Sequence, residues 1–328
     1  AVTAVKLGAE DFIQKDFNYE ILKEKIKKIL SYKQYEIDSK LLKDAVEAGY
    51  NKFIFASDQM REIMIQIQMV ANLNIDVLLT GESGVGKDLI AYEIYKRSNR
   101  SNKRFIHVNI SAIEPNLINS ELFGCVRGAF TGALDKPGKF ELDNGGVIYL
   151  SEIAEIPHET QLKLIDFIQY RAIKRVGDNK ERKIDVKIIY ATNSDIEEMV
   201  NEGKVRKDFY YRINVKRKHI PPLRERKEDI IPIAEYFIKR YSLEFGIKKR
   251  LMLSDELKSI FLSYHWPGNV RELENMIKVA LAGNLTILNN VDELTLEHFP
   301  QFKTIGDKSE WVLKPYKSAK EEFDRNYF

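Results

Sequence analysis

Cysteine is nearly missing from this sequence. Cys125 stands alone among 328 residues, which excludes an internal disulfide and any cysteine-rich metal site and agrees with a reducing compartment. Histidine is sparse as well: His107, His158, His219, His265 and His298 are scattered, with no two at metal-ligand spacing. No apolar run is long enough to cross a bilayer as a helix, and no secretory pattern opens the chain. The expected location is therefore the cytoplasm, with no membrane partner. A concentrated basic face is also lacking. Lys and Arg number 52 against 49 Asp and Glu, so nothing points to a dedicated nucleic-acid surface. The chain opens without Met in what reads as mid-domain and ends in a charged helical stretch, residues 317–323. The expectation is a piece of a longer protein.

What is present is a globular composition, 44% hydrophobic and 31% charged, at a length that suggests two or three domains. From residue 19 to about 42 the pattern is helical, with Leu22, Ile26 and Ile29 recurring at spacings of four and three. Four short β-rich runs follow, at 76–80, 105–109, 147–150 and 186–191, joined by helical segments. That alternation predicts an α/β fold with a mostly parallel sheet flanked by helices. After Pro221-Pro222 only helical spacing is seen, as in Ile230, Ile233, Ala234, Phe237 and Ile238. It predicts an all-helical second unit from about 220 to 300.

Residues 81–88 carry the sharpest chemical signal. Gly81, Glu82, Ser83, Gly84, Val85, Gly86, Lys87 and Asp88 follow an apolar strand and lead into an amphipathic helix beginning Leu89, Ile90, Ala91. Strand, glycine-rich loop, lysine and helix in that order make a phosphate cradle. Backbone N–H groups and the helix N-terminus face the anion, and Lys87 reaches the β- and γ-phosphates. Asp88 stands where Ser or Thr usually gives a hydroxyl to Mg2+. A second nucleotide motif runs from Gly145 to Glu152 and delivers polar groups at a strand's C-terminal end. The usual pair there is Asp-Glu, one organising Mg2+ and one polarising water. Here the first is Ser151, leaving Glu152 as the candidate base and Asp88, Ser151 and Glu152 as the Mg2+ candidates.

Several further residues belong at the same sheet edge, where ligands of open α/β sheets bind. Asn109 ends a strand, where its amide can hold and orient Glu152. Asn193 ends another, where it can position water or the γ-phosphate. Arg206 and Arg212 lie among aromatics, as surface residues or as groups that reach a neighbouring subunit's nucleotide. Trp266-Pro267-Gly268-Asn269 turns into a helix that Asn269 can cap, placing Arg271 in its first turn, within reach of phosphate. Between the two nucleotide motifs lies an uncharged, aromatic-tipped loop: Gly128, Ala129, Phe130, Thr131, Gly132 and Ala133. Its glycines favour a loop over a strand, and apolar loop tips mark contact sites.

Together these segments resemble the sigma-54-dependent transcriptional activators, the NtrC-like enhancer-binding branch of the AAA+ ATPases. The resemblance covers nearly the whole chain. It rests on GESGVGKD, SELFG followed by GAFTGA, GGVIYLSEI, ATN, VRKDFYYRINV, PPLRER and WPGNVRELEN. It implies ATP and Mg2+ as cofactors, a homo-oligomeric ring, usually a hexamer, with ATP at subunit interfaces, and sigma-54 RNA polymerase holoenzyme as partner. It implies that residues 128–133 engage sigma-54, that Glu152 is the catalytic carboxylate with Asn109 its switch partner, and that Asn193 is the sensor. Arg206 and Arg212 become fingers acting in trans, and Arg271 a second sensor. An acidic residue after the phosphate-loop lysine is ordinary in that family.

The implied domains are the end of a response-regulator receiver (1–32), a helical linker (33–50), the AAA+ α/β subdomain (51–219), its helical lid (220–300) and a linker (301–328) toward a Fis-like helix-turn-helix domain outside this sequence. Enhancer DNA would be met only through that domain, and a sensor histidine kinase only through a complete receiver. Lys15 sits at the receiver's signalling lysine but precedes Asp16 rather than proline. Two other departures stand out. Ser151 replaces the family's aspartate, which makes a nucleotide-binding but hydrolysis-impaired regulator the alternative reading. Cys125-Val126 replaces the usual His-Glu before GAFTGA.

Overall fold

The computed structural model describes residues 53–303. The expected receiver fragment, the helical stretch at 19–42, and the linker beyond residue 303 lie outside the described residues. Helix α1 (Asp58–Ala71) opens the described chain, capped by the Ser57 hydroxyl, which accepts from Met60 N. Strand β1 (Val77–Thr80) leads through the glycine loop into α2 (Lys87–Arg97), and β2 spans Phe105–Asn109. Next come α3 (Ile118–Phe123), β3 (Gly124–Cys125), β4 (Lys136–Pro137), α4 (Lys139–Leu142) and β5 (Val147–Ser151). Helix α5 (His158–Tyr170), the short pair β6 (Ala172–Ile173) and β7 (Arg182–Lys183), and β8 (Lys187–Thr192) follow. Helices α6 (Ile196–Asn201) and α7 (Lys207–Ile213) and strand β9 (Arg217–His219) complete the first layered region.

The main sheet has the order β2-β5-β8-β1-β9, and every neighbouring pair is parallel. Its three central strands are buried along their whole length, as expected of a parallel sheet covered on both faces. Leu78, Ile148, Leu150, Ile188, Leu164 and Phe167 belong to one hydrophobic core around it. Strand β9 was not among the expected runs. It reads Arg-Lys-His and lies at the sheet's edge, with no apolar alternation to betray it.

Beyond Pro222 the chain builds a second core. Its helices are α8 (Ile230–Glu244), α9 (Asp255–Ser263), α10 (Asn269–Gly283), α11 (Leu285–Leu288) and α12 (Pro300–Lys303). Trp266, Phe261, Phe237, Leu273 and Phe299 pack at its centre. The region is not wholly helical. Met252–Leu253 (β10) and Glu293–Leu294 (β11) pair in parallel, and two-residue strands are too short to print a period of two in the sequence.

Candidate functional site

The glycine loop after β1 is pressed against the helical region along most of its length. A Cβ on Gly81 would lie 2.6 Å from the Ile220 carbonyl oxygen, and one on Gly84 would collide with the Gly268 carbonyl. Both glycines also have positive φ, 145° and 77°, so close approach and left-handed backbone both demand glycine. Polar contacts then hold each residue between them. Glu82 receives a two-pronged bond from Arg224 at 2.5 and 2.9 Å, which holds its carboxyl below the usual range. Asn269 donates to Glu82 Oε2 and to the Ser83 carbonyl, while its own Oδ1 accepts from Leu223 N at 2.8 Å. Arg271 Nη1 meets Ser83 Oγ at 3.0 Å, Val270 N donates to the Gly84 carbonyl, and Arg226 Nη2 donates to the Val85 carbonyl at 2.7 Å.

Asn269 departs from its expected role. Gly268, not Asn269, precedes the first turn of α10, and the helix has no side-chain cap. Asn269 is fully buried in a left-handed conformation, φ 53°, which asparagine tolerates better than most residues. Its amide bridges the two regions instead. Glu272 fixes the turn in front of it by accepting from Gly268 N at 2.8 Å and from the Tyr264 hydroxyl. Arg226 extends the bridge, since the buried Asp229 beside it accepts from Ser57 N and from the Ser57 hydroxyl at the start of α1.

Inside the cradle, the Lys87 ammonium donates to the Gly81 and Glu82 carbonyls at 2.7 and 3.0 Å. Burial pushes its pKa below the ordinary lysine value, and the charges of Glu152 and Asp88 oppose that fall. The Tyr149 hydroxyl donates to Asp88 Oδ1 at 2.6 Å. Ser151 Oγ lies 2.9 Å from His107 Nε2. Desolvation also holds the His107 imidazole below its usual value, with Asp88 pulling the other way. Glu152 sits just past the end of β5 with φ 56°, a left-handed position that is uncommon for a glutamate.

One expected strand-end contact, that of Asn109 with Glu152, is not made here. Glu152 Oε2 accepts from the backbone N–H of Asn193 at 3.1 Å. Asn109 is engaged elsewhere, its Oδ1 accepting from Ser111 N, where it caps the short helical turn at Ile110–Ala112. Glu152 is therefore held by the β8 edge rather than by Asn109. The Asn193 side-chain oxygen accepts from the Ser194 hydroxyl.

Arg206 and Arg212 lie outside this cluster. Arg206 pairs with Asp208 at 2.8 Å, and Arg212 donates to Gln169 Oε1. Arg206 precedes the first turn of α7 and Arg212 lies in its last.

Asp88, Ser151 and Glu152 offer the hard oxygen donors that Mg2+ takes. Among the described residues no group of three or more His, Cys, Asp or Glu is arranged to hold a metal by itself.

The uncharged loop lies between β3 and β4, which pair antiparallel. It closes on itself: Gly128 N donates to the Ala133 carbonyl and Ala133 N to the Phe130 carbonyl. Phe130 is 43% exposed and Leu134 74%. Its base leans on a segment that sequence reasoning did not single out, the β6–β7 hairpin. Val126 N donates to the Val176 carbonyl, and Gly177 lies under Ala129. Arg175 clamps that hairpin to Glu141 through two bonds and to Asp135 through one. Cys125 is buried with its thiol directed at the Leu134 carbonyl.

Comparison with known proteins matches this arrangement. Residues 53–218 match the Sigma-54 interaction domain, and residues 224–310 match an AAA+ ATPase lid domain. The regulatory protein LuxO of Vibrio vulnificus is 40% identical over 304 residues, covering 92% of this chain and 65% of LuxO. A Nif-specific regulatory protein of Azospirillum brasilense is 45% identical over 236 residues, covering 72% of this chain and 37% of its own length. The ATP complex of NtrX from Brucella abortus superposes with a TM-score of 0.72 at 32% identity, covering 99% of this chain and 72% of NtrX. The chain thus spans about two thirds of the curated relatives of LuxO type. A glycine-rich loop with its lysine, a helical lid gripping it and an apolar loop raised between β3 and β4, in a sequence matched over residues 53–218 and 224–310, place the chain among the sigma-54-dependent activators of the AAA+ ATPases.

Proposed function

We propose that this chain is the ATP-hydrolysing motor of a sigma-54 activator, and that it converts nucleotide state into engagement of sigma-54 by residues 128–133. The observation that carries this reading is the multiple grip of the lid on the phosphate loop, made by Arg224, Arg226, Asn269, Val270 and Arg271. A loop so tied cannot adjust to a triphosphate without moving the lid. Residues 51–219 then form the catalytic subdomain and residues 220–300 the lid. Gly81 through Leu89 and Arg271 hold ATP, with Lys87 directed at the β- and γ-phosphates.

Glu152 takes the proton of a water as its oxygen bonds to the γ-phosphorus and the bond to the ADP oxygen breaks. Asn193 positions that carboxylate through its backbone N–H, and Asn109 is the group that exchanges into its place as the nucleotide state changes. Asp88 and Ser151 would hold Mg2+, which when bound would neutralise phosphate charge. Arg206 and Arg212 act on the nucleotide of the next subunit in a ring, a contribution worth roughly 10³–10⁵ in rate for such fingers. Their location away from the chain's own cradle supports a role in trans. Phe130 and Thr131 meet sigma-54 in the holoenzyme. In the complete cytoplasmic protein, a receiver answering a sensor kinase and a helix-turn-helix domain on enhancer DNA would flank this motor.

The second reading is a regulator that binds ATP but hydrolyses it poorly, favoured by the neutral Ser151 hydroxyl. Steady-state ATP turnover of the chain, beside Ser151→Asp and Glu152→Gln, separates the two. The motor reading expects turnover that Glu152→Gln abolishes and that does not depend on an added aspartate. Absence of turnover, restored by Ser151→Asp, supports the second reading.

A further inference from the structure

We propose that His107 is a positioning residue of the metal site, and that its hydrogen bond to Ser151 makes the serine hydroxyl the oxygen acceptor that the family's aspartate otherwise supplies. This rests on the ATPase reading above and concerns how the same site works without that carboxylate.

The argument begins with the sheet. Strands β2 and β5 pair with His107 opposite Tyr149 and Asn109 opposite Ser151. Alternate residues of a strand share a face, and partners on parallel strands share it too. His107, Tyr149, Asn109 and Ser151 therefore belong to one face. On it, four side chains form an unbroken chain of contacts. Asp88 Oδ1 accepts from the Tyr149 hydroxyl at 2.6 Å, the Tyr149 and His107 rings lie 4.6 Å apart, and His107 Nε2 is 2.9 Å from Ser151 Oγ. The phosphate-loop carboxylate and the strand-end hydroxyl are thus aimed by one pair of rings.

A serine hydroxyl has one proton and two lone pairs. Its usefulness to a cation, or to water bound to one, depends on where that proton points. If Ser151 donates to His107 Nε2, both lone pairs remain for the site. If Nε2 carries the proton instead, one lone pair is used on the ring and the hydroxyl proton turns toward the cation. The first arrangement mimics a carboxylate's accepting face without its charge, and it requires His107 to carry its proton on Nδ1. Outer partners of this kind orient the ligand, and their loss costs about 10–100-fold in metal affinity at well-studied sites.

The test measures Mn2+ binding by electron paramagnetic resonance on the full chain loaded with a non-hydrolysable ATP analogue, so the readout is affinity rather than turnover. His107→Ala is expected to weaken Mn2+ by about tenfold or more while leaving analogue affinity without metal unchanged. His107→Gln, whose amide oxygen can accept from Ser151, is expected to retain most of the affinity. In a Ser151→Asp background, His107→Ala is expected to have little effect, because the carboxylate needs no such partner. Nitrogen-15 spectra of the metal-free chain should show His107 protonated at Nδ1.

Unchanged Mn2+ affinity in His107→Ala, equal losses in both backgrounds, or a proton on Nε2 each overturn the inference and leave the ATPase reading standing. A parallel fall in metal-free analogue affinity overturns it as well, since it would reveal a merely structural role. Failure of the unaltered chain to bind the analogue at all overturns both.

Discussion

Two glycine-bounded loops, one after β1 of the five-stranded sheet and one between the short paired strands β3 and β4, are held in opposite ways. The phosphate loop at 81–88 is gripped from outside. Glu82, Ser83, Gly84 and Val85 each bond to the lid, and Gly81 and Gly84 have no room for a Cβ. The loop at 128–133 is held by bonds within itself, and a Cβ on Gly128 or Gly132 would meet nothing within 4 Å. Among the described residues, its base rests on the β6–β7 hairpin beneath it, which Arg175 locks to Glu141. The contrast separates two uses of glycine. In the first loop glycine permits contact with a neighbour, and in the second it permits only a turn. It also separates two jobs: a loop that must feel the lid, and a loop that must leave its tip bare.

The largest expected difference comes from placing the same methyl group in each loop. Gly84→Ala meets both a collision with the Gly268 carbonyl and a left-handed backbone. It should cost roughly 2–5 kcal/mol and remove nucleotide binding. Gly128→Ala meets strain alone and should cost about 1 kcal/mol with nucleotide binding intact. Chemical denaturation and a fluorescent ATP analogue would measure both, and equal costs would break the comparison.

Asn269→Ala is expected to come next. It leaves the buried Leu223 N–H unpaired, which costs about 1–3 kcal/mol, and removes a second bond to the Ser83 carbonyl. Asn269→Gly keeps the left-handed backbone accessible, so a similar loss of stability and analogue affinity in that variant would assign the effect to the amide. Phe130→Ala should act in the reverse sense. Stability is expected to stay within about 0.5 kcal/mol and ATP turnover to persist, while retention of sigma-54 in a pull-down is lost. Loss of turnover instead would mean that the second loop is not independent of the first.

The smallest effect concerns pH. The Glu82 carboxyl is held low, first by its hydrogen bonds from Arg224. A depressed carboxylate adds stability above its ordinary value of about 4.3, and that stability is lost as pH falls through the folded value. The difference in denaturation midpoint between the unaltered chain and Glu82→Gln should therefore be present at neutral pH and vanish in acid below that value. A difference independent of pH would mean that the Glu82 charge plays no part in the grip.

The parts of the fold legible in the sequence were those with a period. Three buried central strands and the edge strand β2 announced themselves as β-rich runs, the phosphate loop by its order of strand, glycines, lysine and helix, and the lid by helical spacing. What stayed hidden lacked such a pattern. Strand β9 is polar and at an edge, and β10 and β11 are two residues each. The lid's grip joins residues more than 140 positions apart, so local reasoning saw Asn269 only as a helix cap. His107 looked like a stray histidine until strand register set it beside Ser151. Asn109 was placed correctly on its strand, but its amide serves the following turn here and leaves Glu152 to the Asn193 N–H.

Sigma-54 retention under three nucleotide conditions bears most directly on the link between the two loops. The chain would be immobilised without nucleotide, with ADP, and with ADP plus a metal fluoride that mimics the transferred phosphoryl group. Retention in the third condition and not in the first two is the expected result. Equal retention in all three, or none in any, would contradict the conversion of nucleotide state into engagement by Phe130 and its loop.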